Sequence, residues 1–238
     1  MTRMRRRGII RRRRFSIGLA IVAGTSVLAG MTDAIGLLMA GSFVSFMSGN
    51  TTRAAIAVAE GNIDYALLLL GAIAMFIAGN ALGIIVAHNA SRRAFAVTAT
   101  VALLLAAAAV LGETDYATPQ LYLTVLAMGA INAAAEHVEG LPIGLTYVTG
   151  ALSRFGRALG YWLLGDPRSG WGLQIVPWIG MGVGALAGAV MQQTWGAASL
   201  WVAFLWASML SLAIWFVPPH IQKRFAQAVS PHRRKAAS

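Results

Sequence analysis

The chain has 238 residues, 58% of them hydrophobic and only 11% charged, whereas a soluble domain of this size carries roughly a quarter charged residues. That composition excludes an ordinary water-soluble globule and points to an all-α, polytopic membrane protein. The absence of cysteine excludes disulfides, thiolate metal sites and cysteine nucleophiles, and the net charge of +11 sits mainly on arginines beside apolar stretches, a placement that suits bilayer orientation and anionic headgroups and gives no reason to expect a nucleic-acid partner.

Residues 1–14 form a basic tail containing Arg3, Arg5 to Arg7 and Arg11 to Arg14. Arg12, Arg13 and Phe15 ahead of an apolar stretch have the look of a twin-arginine export signal. The stretch runs on into Asp33 and a polar motif, which a cleaved peptide has no reason to carry, so it reads as the first transmembrane helix. A span needs about 20 mainly apolar residues. Six stretches meet or approach this, at approximately 15–38, 65–87, 94–111, 121–135, 173–191 and 198–217. The fourth is short and ends at Glu136, His137 and Glu139.

One polar octapeptide occurs twice. Phe46 to Arg53 reads F-M-S-G-N-T-T-R and Tyr147 to Arg154 reads Y-V-T-G-A-L-S-R, 101 positions apart. Three spans separate the copies, an odd number, so the second unit is expected upside down relative to the first. The predicted organisation is a cytoplasmic tail at 1–14, a three-helix repeat at 15–112, an extracytoplasmic loop at 113–120, a second repeat at 121–217 and a basic cytoplasmic tail at 218–238. With the N-terminus inside, six crossings leave every basic residue except Arg53 on the cytoplasmic side, as the positive-inside rule expects. Making the motif segments full crossings would weaken that asymmetry, so they read as short or re-entrant half-helices.

Several polar groups need explaining. Asp33 lies in Gly30-Met-Thr-Asp-Ala34, and its counterpart is Asn132 in Gly129-Ala-Ile-Asn-Ala133. A carboxylate in a span must meet a partner, a cavity or a proton. It serves either as a hydrogen-bonding tie to its own motif loop or, with the neighbouring Thr32 hydroxyl, as a substrate- or ion-coupled group. In the motifs, Ser48, Gly49, Asn50, Thr51, Thr52 and Arg53 read as a turn and N-cap run before a helix at 54–60. Thr149, Gly150, Ser153 and Arg154 read the same way before a helix at 155–164. Such helix starts offer amide hydrogens to an anion or carbonyl; the plainer alternative is capping at a buried bend. Asn80 suits a hydrogen bond to a neighbouring helix. Glu136 and His137 are either a solvated helix end or a proton relay. The four histidines lack metal-ligand spacing, no nucleophile grouping is present, and neither a cofactor nor an enzymatic activity is expected. Gly180, Gly184 and Gly188 form a small-residue stripe that suits close helix packing within the subunit or across a homodimer, and Pro177 is expected to bend its span.

The strings Gly30 to Ala34, Phe43-Val-Ser-Phe-Met-Ser-Gly-Asn-Thr-Thr-Arg53, Gly129 to Ala133 and Tyr147-Val-Thr-Gly150 resemble those of the YoaK-like family of bacterial membrane proteins, a domain of unknown function. The resemblance runs from about Ser16 to Val217 and implies about six spans in the inner membrane, with no substrate or catalytic residues to carry over. The reading that joins these features is a secondary transporter of a small polar or anionic solute between two repeats, with membrane lipids as its surroundings. A channel, or a non-transporting protein that binds lipid or assists another complex, stands as the alternative.

Overall fold

The computed structural model describes residues 3–112, 117–134, 137–138, 141–142, 148–166 and 171–218, with side chains over 16–112, 117–133, 148–166 and 172–218. The protein is an all-α polytopic membrane protein. Its helices are α1 Arg3–Ala40, α2 Met47–Ala59, α3 Ile63–Asn89, α4 Arg93–Leu111, α5 Ala117–Ala134, α6 Val148–Leu163, α7 Val176–Trp195 and α8 Ser199–Trp215. Short 3-10 turns at Trp171–Ile175 and Gly196–Ala198 precede α7 and α8, and His137–Val138 pairs antiparallel with Leu141–Pro142. Four stretches, Ser16–Ala40, Ile63–Asn89, Arg93–Leu111 and Gly172–Trp215, are long and apolar enough to cross a bilayer, the last containing both α7 and α8.

The first helix extends back through the basic residues to Arg3. Several local expectations are corrected. Helix α5 begins at Ala117, inside the stretch expected to be loop. Pro177 lies in the first turn of α7 and starts the helix, where its missing N–H leaves no intrahelical bond unmade. Both motif helices begin earlier than their polar composition suggests. Helix α2 takes in Ser48, Thr51 and Thr52, its N-cap is Phe46, and no side chain caps it. Thr51 Oγ1 donates to Met47 O at 2.9 Å and Thr52 Oγ1 to Ser48 O at 3.2 Å. The hydroxyls thus bond back one turn, an option open to threonine within a helix as well as before one.

Helix directions follow from neighbours. Gly180 lies beside Ala23 and Ser26, Gly184 beside Val27 and Gly188 beside Met31, so α1 and α7 are parallel. Tyr122 Oη donates to Leu68 O at 3.3 Å, Gly79 meets Leu126 and Gly83 meets Ala130, so α3 and α5 are parallel as well. Phe95 packs on Trp215 with ring centroids 4.6 Å apart, while Gly112 lies near Ala197 and Gln120; α4 is therefore antiparallel to both α8 and α5. Tyr65 and Gly41 bring the start of α3 to the end of α1. The six long helices alternate in direction, with Gly41, Ile63, Leu111, Ala117, Trp195 and Ser199 toward one face and Asn89, Arg92, Val176 and Trp215 toward the other.

The pairings have an internal order. Helix α1 packs mainly on α7, α3 on α5, α4 on α8 and α5, α2 on α3, and more lightly α1 on α8 and α6 on α7. Exchanging α1–α4 with α5–α8 in order converts this set into itself. The glycines repeat the relation: Gly79 and Gly83 on α3 match Gly180 and Gly184 on α7 at the same 101-residue separation as the motifs. Gly30 fits against Met181, and Gly129 against Phe76 and Gly79. The Gly180, Gly184 and Gly188 stripe is therefore used inside the subunit, against α1. A buried core of Leu28, Ile35, Val97, Leu105, Leu121, Met128 and Leu200 fills the space between the helices.

Candidate functional site

The first motif copy is built around a chain reversal. After α1 ends, Gly41 takes φ +67°, a left-handed conformation that glycine adopts without penalty. Residues 42–46 then fold back beside the last two turns of α1. Val44 N donates to Asp33 Oδ1 at 2.8 Å, Ser45 N to the same oxygen at 2.7 Å, and Ser45 Oγ to Oδ2 at 2.5 Å. At 1.5 Å rise per residue this returns the chain about 10 Å below Ala40 before α2 begins. The segment thus folds back along the helix it has just left, with the backbone N–H groups of Phe43, Val44 and Ser45 satisfied by side chains. Asp33 is only 3% exposed, so leaving any of these buried partners unmade would carry a desolvation cost of about 1–3 kcal/mol.

Asn50 fixes the other side of the bend. Its Oδ1 accepts from Phe43 N at 3.0 Å and its Nδ2 donates to Phe43 O at 2.7 Å. Thr32, fully buried, donates its hydroxyl to Leu28 O and Ala29 O of its own helix. Tyr65 Oη donates to Gly41 O at 2.6 Å, tying α3 to the reversal. The Arg53 guanidinium lies 6.0 Å from the Phe43 ring centre and 5.8 Å from that of Tyr65, within reach of a cation–π attraction. Ser48, Thr51 and Thr52 are exposed, Gly49 and Arg53 half-buried. The structure thus brings Asp33, Asn50 and Arg53 together around one bend, while the α2 hydroxyls face outward.

In the second copy, Thr149 and Ser153 are exposed, Gly150 is half-buried, and half-buried Arg154 donates from Nε to Gln174 Oε1 at 2.8 Å. Asn132 Nδ2 donates to Asn80 Oδ1 at 3.2 Å, and Asn80 Nδ2 donates to Phe76 O at 2.9 Å. Glu136 lies outside the described residues, and His137 is described in its backbone alone. Among the described residues no cluster of three or more His, Asp or Glu could hold a metal ion. The two copies stand at opposite faces: α2 between the end of α1 and the start of α3, α6 between the end of α5 and the start of α7.

Ser45, Tyr65 and Gln174 take part without having been singled out from sequence. Ser45 stands within the Phe43-Val-Ser-Phe46 string; for Tyr65 and Gln174 the sequence carried no signal, since each acts across 20 or more residues.

A family profile described as a protein of unknown function, DUF1275, matches residues 11–213. The UPF0700 transmembrane protein RA0705 of Rhizobium meliloti (strain 1021) is 50% identical over 228 residues, covering 96% of this chain and all of that relative. No solved structure matches. With its profile match running from the basic tail through α8 and a transmembrane relative aligned end to end, this chain belongs to the DUF1275 family of multi-pass membrane proteins.

Proposed function

We propose that the protein is a small secondary transporter that passes a small polar or anionic solute between two inverted repeats, residues 15–112 and 121–217, in the bacterial inner membrane with both termini in the cytoplasm. The observation that carries this reading is the helix pairing, which is unchanged when the two halves are exchanged, together with the two motif helices at opposite faces. An inverted repeat of this kind gives two equivalent arrangements of one body, the usual basis of alternating access. The basic residues Arg92 and Arg93 lie on the face of the α1 start, while Glu60 and Asp64 lie on the other, which supports a cytoplasmic assignment for the former.

Within this reading Asp33 and Asn50 are positioning residues, because their polar atoms are engaged by the backbone at 43–45 and by Ser45. Solute contacts then fall to the outward groups of α2, to Thr149 and Ser153 of α6, and to the Asn80–Asn132 pair. A second reading rests on the same engagement: a membrane protein without transport, binding lipid or supporting another complex, with both motifs as architectural pins.

The test is thermal unfolding of purified protein over a panel of inorganic ions and small metabolites, followed by flux into proteoliposomes. A binding solute raises apparent stability by mass action. Transport predicts at least one stabilising solute whose flux exceeds that of empty vesicles; stabilisation without flux, or no stabilisation across the panel, favours the second reading.

A further inference from the structure

Helix α6 differs from α2 in a way that solute passage does not explain. Helix α2 turns Asn50, Ala54 and Ala57 inward, whereas α6, though longer, buries only Ala151. At about 3.6 residues per turn, Thr149, Ser153, Arg154 and Arg157 fall on one half of α6, and Leu152, Leu159, Trp162 and Leu163 on the other. Leu163 is 70% exposed and Trp162 51%. The contacts of α6 run chiefly to the turn at Trp171–Ile175 and the start of α7, which places the helix at the face bearing Arg92 and Arg93. This sidedness, with a basic polar edge and an aromatic ring beside apolar side chains, is that of a helix lying in the plane of the bilayer interface.

We propose that α6 is an in-plane interfacial helix that binds anionic phospholipid headgroups through Arg154 and Arg157, with Leu159, Trp162 and Leu163 seated among the acyl chains. The occupant follows from charge: α6 itself, Val148–Leu163, carries two arginines on its polar half and no acidic residue, and Arg92 and Arg93 lie on the same face. Arg154 is already oriented by its Nε bond to Gln174, which leaves the outer end of its guanidinium to fork around a phosphate. Arg157 is exposed. The proposal is independent of solute transport and holds for either reading of function.

The chain has no native cysteine, so a Leu163→Cys variant carries a single nitroxide. It is reconstituted in vesicles of phosphatidylcholine, or of phosphatidylcholine and phosphatidylglycerol in equal parts. The proposal predicts a nitroxide accessible to oxygen and shielded from a water-soluble nickel chelate. It also predicts preferential association of spin-labelled phosphatidylglycerol over phosphatidylcholine, reduced about fivefold per arginine in Arg154→Gln and Arg157→Gln. Arg157→Gln alone serves if the double variant folds poorly, since Arg157 has no described structural bond to lose. Nickel accessibility at 163, shielding from both probes as by a second copy or another protein, or unchanged lipid preference in the arginine variants would each overturn it.

Discussion

At the residue scale, Asp33 is a tie before it is anything else. Of the two roles its position allows, a tie to its own motif loop or a coupled group, the tie is the one with partners in place: its oxygens accept from two backbone amides and one serine hydroxyl. Asp33→Asn keeps the shape and turns one acceptor into a donor facing donors, so folding yield and thermal stability should fall by about 1–3 kcal/mol. Hydrogen exchange should rise at the amides of Val44 and Ser45, whereas solute binding per folded molecule should be unchanged. Tyr65→Phe removes the bond to Gly41 O and is expected to cost about 1 kcal/mol in thermal unfolding. The sequence made a buried carboxylate visible and demanded a partner for it. It could not show that the partner lay 11 and 12 residues onward, because that depends on Gly41 reversing the chain, and glycine is common throughout this protein.

At the element scale, the helices meet through glycine. A side chain at Gly184 would run into the backbone of Val27, while one at Gly182, on the opposite side of α7, would meet nothing within 4 Å. Gly184→Ala should therefore push α1 and α7 apart and lower stability by about 1–3 kcal/mol, measured by thermal unfolding in detergent. Gly182→Ala should be neutral or slightly stabilising through helix propensity. The spacing of Gly180, Gly184 and Gly188 was readable as a packing stripe, but its partner was not, since α1 and a second copy are equally apolar. Span order was readable from hydropathy to within a few residues. The starts of α2 and α6 were not, because serine and threonine signal a cap by composition yet bond equally well to the preceding turn. Pro177 misled for a related reason: its position relative to a helix start decides whether it bends or begins a helix.

At the scale of the molecule, the account depends on two halves related by exchange, each holding a short helix near one face of the bilayer. In the sequence, the duplicated octapeptide predicts the two halves and the odd number of intervening spans predicts their opposition. The particular pairs, α1 with α7 and α3 with α5, were hidden, because apolar helices carry little sequence record of which neighbour they meet. Sided labelling tests the arrangement most directly. Thr52 on α2 and Ser153 on α6 are both exposed, and no native cysteine competes, so Thr52→Cys and Ser153→Cys variants can be treated with a membrane-impermeant maleimide in intact spheroplasts and in inverted vesicles. The inverted-repeat account predicts that Thr52→Cys reacts only in spheroplasts and Ser153→Cys only in inverted vesicles; labelling of both positions from the same side would contradict it.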